Sequence, residues 1–158
     1  MVGSAMSRRS WLTLLTAALL SGLLVSATAV AGRTARSSRA VVKVAYNKTL
    51  KKNILVDGMG RTLYMLTLDT KGLPTCESAD PGCPALWPAL TSTGKPLAGK
   101  GVNARLFAIV KGAGGKPQVS YNRHPLYRFS SDRKAGDANG QAFFGLWYVL
   151  SPEGKPIK

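Results

Sequence analysis

The stretch HPLYRFSSD, residues 124 to 132, carries the chain's one histidine together with a tyrosine and an aspartate. An imidazole titrates near neutral pH, and a phenol beside a carboxylate can relay a proton, so His124, Tyr127 and Asp132 could supply acid–base chemistry. An earlier stretch, RTLYMLTLD, sets Tyr64 and Asp69 at the same spacing. In an extended strand, residues five apart point to opposite faces and lie about 17 Å apart, so neither tyrosine reaches its own aspartate. A crossed arrangement is expected instead: the two copies pair antiparallel about a pseudo-twofold axis, with Tyr64 opposite Asp132 and Tyr127 opposite Asp69. The rings then pack in the core or its rim. The aspartates, which precede Thr-Lys-Gly and Arg-Lys-Ala-Gly, end their strands in turns.

Other residues with chemical potential lack the company that chemistry needs. A general base requires an orienting partner and a nucleophile, and Ser120 and Ser130 stand in no nucleophile motif. His124 is expected to be exposed, in a turn before Pro125, and no residue is assigned a catalytic role. Met59, Met65 and His124 are candidate soft ligands for copper, but the sulfurs suit core packing and a turn at least as well, so no metal or other cofactor is expected. Cys76 and Cys83 lie in PTCESADPGCP, a polar segment crowded with turn formers. Six intervening residues exceed the two of a redox pair, and a zinc site would lack ligands, which leaves a structural disulfide. The glycine-rich KGAGGK has no Ser or Thr after its lysine and reads as a hairpin turn rather than a phosphate loop.

The elements that must position these residues are duplicated. Leu63, Tyr64 and Asp69 recur as Leu126, Tyr127 and Asp132. LWPALTSTGKPL (86 to 97) recurs as LWYVLSPEGKPI (146 to 157), so Trp87 and Trp147 are equivalent and are expected to anchor the cores of the two halves. The second copy is three residues shorter between its aspartate and its tryptophan, where the first copy carries its cysteines. His124 has no counterpart, because Arg61 takes its place. TLYMLTL and PLYRFS alternate as strands, with Tyr127 and Phe129 on one face and Leu126 on the other. Hairpins are expected at Asp57–Gly60 and between Leu106–Lys111 and Gln118–Tyr121, with a lead-in strand at 41 to 47. The fold class is therefore all-β: a single small sandwich or barrel-like domain over residues 41–158, built from repeat units of about 54–97 and 117–157.

Ahead of this domain, Arg8 and Arg9 precede an apolar run from Trp11 to Val25 and then SATAVAG. That is the pattern of a secretory signal peptide over residues 1–31, with cleavage expected after Ala29 or Ala31. SRRSWL also suits twin-arginine export, and the leucine-rich run suits the general secretory route. The apolar run is too short for a membrane span, and no cysteine follows it for lipid attachment, so no anchor is expected after cleavage. Residues 32–40 are expected to form a basic, flexible leader. Against 7 acidic residues the chain sets 22 basic ones, a net charge of +15, scattered rather than clustered. Such a charge suits an anionic wall polymer, while no helix-turn-helix, zinc-finger or RNA-binding signature supports specific nucleic-acid recognition.

YRFSSD (127 to 132), LVDGMGRTLY, CPALWPAL, VSYNRHPLY and GDANGQAFFGLWYVLSPEG together resemble the bacterial secreted-repeat and predicted-lipoprotein family marked by a Tyr-x-(Phe/Trp/Tyr)-x-x-Asp motif. The resemblance runs from about residue 54 to 154. YMLTLD departs from the motif, with Leu66 in the aromatic place, and the lipidated cysteine of many members is missing. What the resemblance implies is an extracytoplasmic compartment, since the family has no established molecular function. The sequence reading is thus an exported, non-enzymatic envelope protein that binds or scaffolds. Its alternatives are a metal-binding or redox accessory protein and an electrostatic binder of wall polymer.

Overall fold

The computed structural model of the chain describes residues 39–70 and 72–158. The signal peptide and most of the basic leader expected from the sequence lie outside the described residues. The described chain is mostly short strands in three small sheets, without a closed barrel. β1 (Val41–Asn47) pairs antiparallel with β2 (Lys52–Asp57), placing Val44 opposite Leu55. β3 (Tyr64–Leu66) follows the turn at Asp57, whose Oδ1 accepts the N–H groups of Met59 and Arg61 while Gly60 supplies a φ of 85°. The cysteine segment, expected to be a loop, is instead two single-turn helices, α1 (Cys76–Ala79) and α2 (Cys83–Leu86), joined by the Cys76–Cys83 disulfide. β4 (Leu97–Ala98) then runs parallel to β1.

The second copy rebuilds the same frame. β5 (Phe107–Lys111) and β6 (Pro117–Tyr121) pair antiparallel around the glycine-rich turn, with Ile109 opposite Val119. Asn122 and Arg123, both with positive φ, make a two-residue turn into β7 (His124–Pro125), where His124 pairs with Tyr121. Both central residues of such a turn must adopt left-handed geometry, which matches strand twist. His124 is accordingly a half-buried strand residue and not the exposed turn residue expected from the sequence. β8 (Trp147–Val149) completes the set.

The two copies exchange strands. At the pseudo-twofold axis the Tyr64 and Tyr127 backbones bond reciprocally, each N–H donating to the other's carbonyl at 2.9 and 3.0 Å. β3 of the first copy then pairs with β8 of the second, Leu66 opposite Trp147. Symmetrically, the Tyr127 segment pairs with the Trp87 segment of the first copy, through Ser130 N–H to Leu86 O and Leu90 N–H to Leu126 O. Leu55 N–H reaches Leu150 O just as Val119 N–H reaches Leu90 O. Each tyrosine segment is thus flanked by the tryptophan segment of the opposite copy.

Period-two alternation divides the core into two layers. One face holds Leu63, Leu90, Leu126 and Leu150 with Val42, Leu55, Phe107 and Val119. The other holds Tyr64, Tyr127, Leu66, Phe129, Trp87 and Trp147. Because the tryptophan segments are exchanged, the two rings do not anchor separate cores. They stack on each other at 3.8 Å with 3° between planes, and Phe129 covers the other face of Trp87 at 4.3 Å. With both faces of Trp87 occupied, neither half keeps its aromatic layer without the other.

This interlock predicts that fragments 41–103 and 104–158 each lack a cooperative thermal transition alone and regain one, with near-ultraviolet circular dichroism from the tryptophan stack, when mixed. A fragment that melts cooperatively by itself would contradict the exchange.

Candidate functional site

Strand exchange crosses the two tyrosine–aspartate pairs, as the antiparallel expectation required, but the pairs are not equivalent. Tyr64 donates its hydroxyl to Asp132 Oδ2 at 2.6 Å and accepts the Gly140 N–H at 3.3 Å. Asp132 Oδ1 takes the Asn139 N–H and Nδ2 at 2.9 and 3.1 Å, and the carboxylate is 2 % exposed. Gly140 is required here, since a Cβ would lie 2.6 Å from the Trp87 ring. Burial first, then the bond to Asp132 and its charge, push the Tyr64 phenol far above its usual pKa. Every polar atom of this pair has a partner. It is sealed.

The other pair is looser. Tyr127 reaches Asp69 Oδ1 at 3.3 Å, and the same oxygen accepts the Thr75 N–H at 2.7 Å and the Thr75 hydroxyl at 3.1 Å. Asp69 Oδ2 has no partner among the described residues. Burial raises the Asp69 carboxyl to about 6 against the opposing bonds from Thr75 and Tyr127. Burial and then the Asp69 charge raise the Tyr127 phenol. Both aspartates accept backbone N–H groups six or seven residues ahead, so they tie down whole loops rather than capping simple turns.

Tyr127 also borders a cavity of about 110 Å³ between the disulfide segment and the tip of the β5–β6 hairpin, bounded further by Cys76, Glu77, Trp87, Gly112 and Gln118. Gln118 is 1 % exposed; its Nε2 donates to Leu126 O at 3.0 Å and its Oε1 has no partner. Asp69 Oδ2 and Gln118 Oε1 are the two buried side-chain atoms left unpaired among the described residues. Sequence reasoning missed Gln118. Its signal lies in the repeat: Ile109 faces Val119 as Val44 faces Leu55, which makes Ile54 the counterpart of Gln118. Also missed was the ion pair of Arg128 Nε with Asp57 Oδ2 at 2.7 Å, which links the second copy's tyrosine segment to the first copy's turn.

The remaining candidates are not gathered into this site. The His124 side chain makes no hydrogen bond among the described residues, and desolvation lowers its pKa. Met59 is 76 % exposed at the Asp57–Gly60 turn, whereas Met65 is 4 % exposed in the leucine layer. No group of three or more His, Cys, Asp or Glu among the described residues is arranged to hold a metal ion. No helix among them is long and apolar enough to cross a membrane.

Residues 108–151 match the family described as a secreted repeat of unknown function. The matched segment runs from β5 through the Tyr127 segment to Ser151, so it takes in β6, β7 and β8. No curated relative and no solved structure matches the chain. The family match and the disulfide point to an extracytoplasmic protein of unestablished role.

Two outcomes follow from the inequality of the pairs. Tyr64→Phe, which strips a buried carboxylate oxygen of its donor, costs about 1–3 kcal/mol in urea unfolding, whereas Tyr127→Phe costs under about 1 kcal/mol. Equal losses would refute the distinction. Asp69 has a folded pKa near 6, above its ordinary value of 3.8, so the native state holds the proton more tightly than the unfolded chain. The stabilisation is complete below pH ~4 and is lost as pH rises through ~6. Wild-type stability therefore gains a downward component across that window that Asp69→Asn lacks, measurable by urea unfolding at several pH values.

Proposed function

We propose that the protein is an exported, non-catalytic binding module of the cell envelope, delivered by the signal peptide read in residues 1–31. The observation that carries this reading is the inequality of its two equivalent polar pairs. Tyr64 and Asp132 are sealed into the architecture, while Tyr127 borders a cavity and keeps an incompletely satisfied partner in Asp69. A catalytic site would need a nucleophile held by a base, and His124 bonds to none among the described residues. Gln118 Oε1, a buried acceptor that borders the same cavity without a partner among the described residues, suits recognition, because a ligand that supplies the missing donor relieves a desolvation cost.

A second reading, electrostatic adhesion to an anionic wall polymer, has its own support. The net charge is +15, and one ion pair, Arg128 with Asp57, is formed among the described residues. Lys48, Lys51, Lys52, Lys100, Lys116 and Lys134 are exposed. The two readings differ in their response to salt, because exposed charges are screened over about 8 Å at physiological ionic strength.

Isolated envelopes incubated with the purified mature chain test both. Saturable retention that persists at high salt is expected of the binding module, and elution by moderate salt is expected of charge adhesion. Absence of saturable retention at any salt concentration would reject both.

A further inference from the structure

The cavity beside Tyr127 has a chemistry that narrows what can occupy it, and this inference rests on reading the protein as a binding module. The unpaired Gln118 Oε1 decides the matter. Leu126 O, the acceptor for Gln118 Nε2, already receives the Leu90 N–H at 2.9 Å, so the glutamine amide is not needed to satisfy it. In the first copy the same place in the frame is filled by Ile54, buried in the aromatic layer. An apolar side chain therefore serves the architecture, and a buried glutamine with an orphaned carbonyl weakens it. The carbonyl is held against the cavity: a Cβ on Gly112, which bounds the same space, would stand 2.7 Å from Gln118 Oε1. Gly112 has an ordinary extended backbone, with φ of −89°, so the missing side chain answers to space and not to backbone strain.

The surroundings define the rest of the ligand. Tyr127 gives its proton to Asp69, and its oxygen already faces the Cys76 N–H and the Gln118 side-chain amide, so it is not counted among the ligand's partners. The flanks are apolar, with Pro74, Pro84 and Ala89, and Lys111 stands at the boundary as a donor. Trp87 offers only its edge, because Trp147 and Phe129 cover both ring faces, so stacking of a sugar ring on it is excluded. A volume of about 110 Å³ is well above the ~10–15 Å³ that one water needs and admits a group of a few heavy atoms. Over the cavity, the exposed Glu77 Oε2 accepts the Gly114 N–H at 3.2 Å and links the disulfide segment to the hairpin tip. A Cβ at Gly114 would meet nothing within 4 Å, so the tip of this clasp is uncrowded.

We propose that this cavity is a recognition site for a small acylamide group, whose N–H donates to Gln118 Oε1, whose short apolar arm lies against Pro74, Pro84 and Ala89, and whose carbonyl faces Lys111. An acylamide carries all three features in about the space available. An alcohol puts its donor and acceptor on one atom where an amide separates them, and an ammonium group lacks the acceptor. Such a group comes from an N-acetylated sugar or from a peptide bond, and both sources share this chemistry.

Titrating the folded chain with N-acetylglucosamine, N-methylacetamide and glucose, while following the Gln118 side-chain amide and the Gly112 and Ala113 backbone amides by nitrogen–proton NMR, tests the assignment. Saturating shifts with either amide and not with glucose are expected. A response to N-acetylglucosamine identifies the sugar source, and a response to N-methylacetamide alone identifies the peptide source. Gln118→Met, which follows the apolar precedent of Ile54, weakens amide binding about tenfold with an unchanged or raised melting temperature. Gly112→Ala, whose methyl would stand 2.7 and 2.9 Å from Gln118 Oε1 and Cβ, weakens amide binding by steric block at some cost in melting temperature and carries the test if the first variant does not fold. Absence of shifts with both amides, an equal response to glucose, or undiminished binding in the folded variants overturns the assignment and leaves a water-filled cavity. If wild type binds the amides but envelopes do not retain it, the binding-module reading fails and the site stands. If wild type shows no amide shifts but envelopes retain it and Gln118→Met alike, the site fails and the binding-module reading stands.

Discussion

The reciprocal backbone bond between Tyr64 and Tyr127 fixes the axis about which the chain is organised. Two short tyrosine segments running antiparallel through that point leave an unpaired edge on each, and in each case the tryptophan segment of the other copy fills it. Crossing of the hydroxyl–carboxylate pairs, apposition of Trp87 and Trp147 and separation of the core into leucine and aromatic layers all follow from this exchange. None of these features belongs to one repeat. The short strands, three residues in β3 and three in β8, would be marginal as isolated ladders, and packing of the aromatic layer on their shared face is what makes them persist.

Much of this frame was legible in the amino-acid sequence because duplication prints the same signals twice. Period-two alternation located the tyrosine segments, and because a Tyr-to-Asp bond cannot form within one strand, a crossed pairing between the copies was the arrangement to expect. What was not legible depended on context that no local pattern carries. Swapped tryptophan segments look identical in sequence to unswapped ones, so the stacking of Trp87 on Trp147 had to come from the fold. Turn formers around Cys76 and Cys83 describe a loop as well as they describe two single-turn helices. His124 looked like a turn residue because it precedes a proline. Asn122 and Arg123 complete the turn before it, however, and His124 is the first paired residue of β7.

Gln118 was hidden for a different reason. The β6–β7 turn is one residue shorter than the turn after β2, since Leu55 bonds to Leu63 where Val119 bonds to Leu126. A register taken from the tyrosine motif sets Gln118 against Leu55, and only the strand pairing sets it against Ile54. Both partners are buried apolar residues, but Leu55 belongs to the leucine layer and Ile54 to the aromatic layer that contains Tyr127 and Trp87. Opposite a core isoleucine a glutamine is a departure with a free-energy cost.

Such departures mark where the pseudo-twofold is broken, and they are of two kinds. Arg128 stands where the first copy has Met65, and Asp57 where the second has Tyr121; an ion pair replaces a packing contact, and both groups gain partners. That exchange keeps the frame satisfied on either side. Asp69 and Gln118 break the symmetry without compensation, each leaving one buried oxygen unpaired close to Tyr127. A fold that closes Tyr64 and Asp132 so completely shows that this backbone can satisfy the pair with its own donors. The cysteine helices occupy the corresponding place in the first copy, and instead of sealing the pair they form one wall of a cavity. The disulfide holds that wall, which gives it a role in shaping the opening beyond closing a loop.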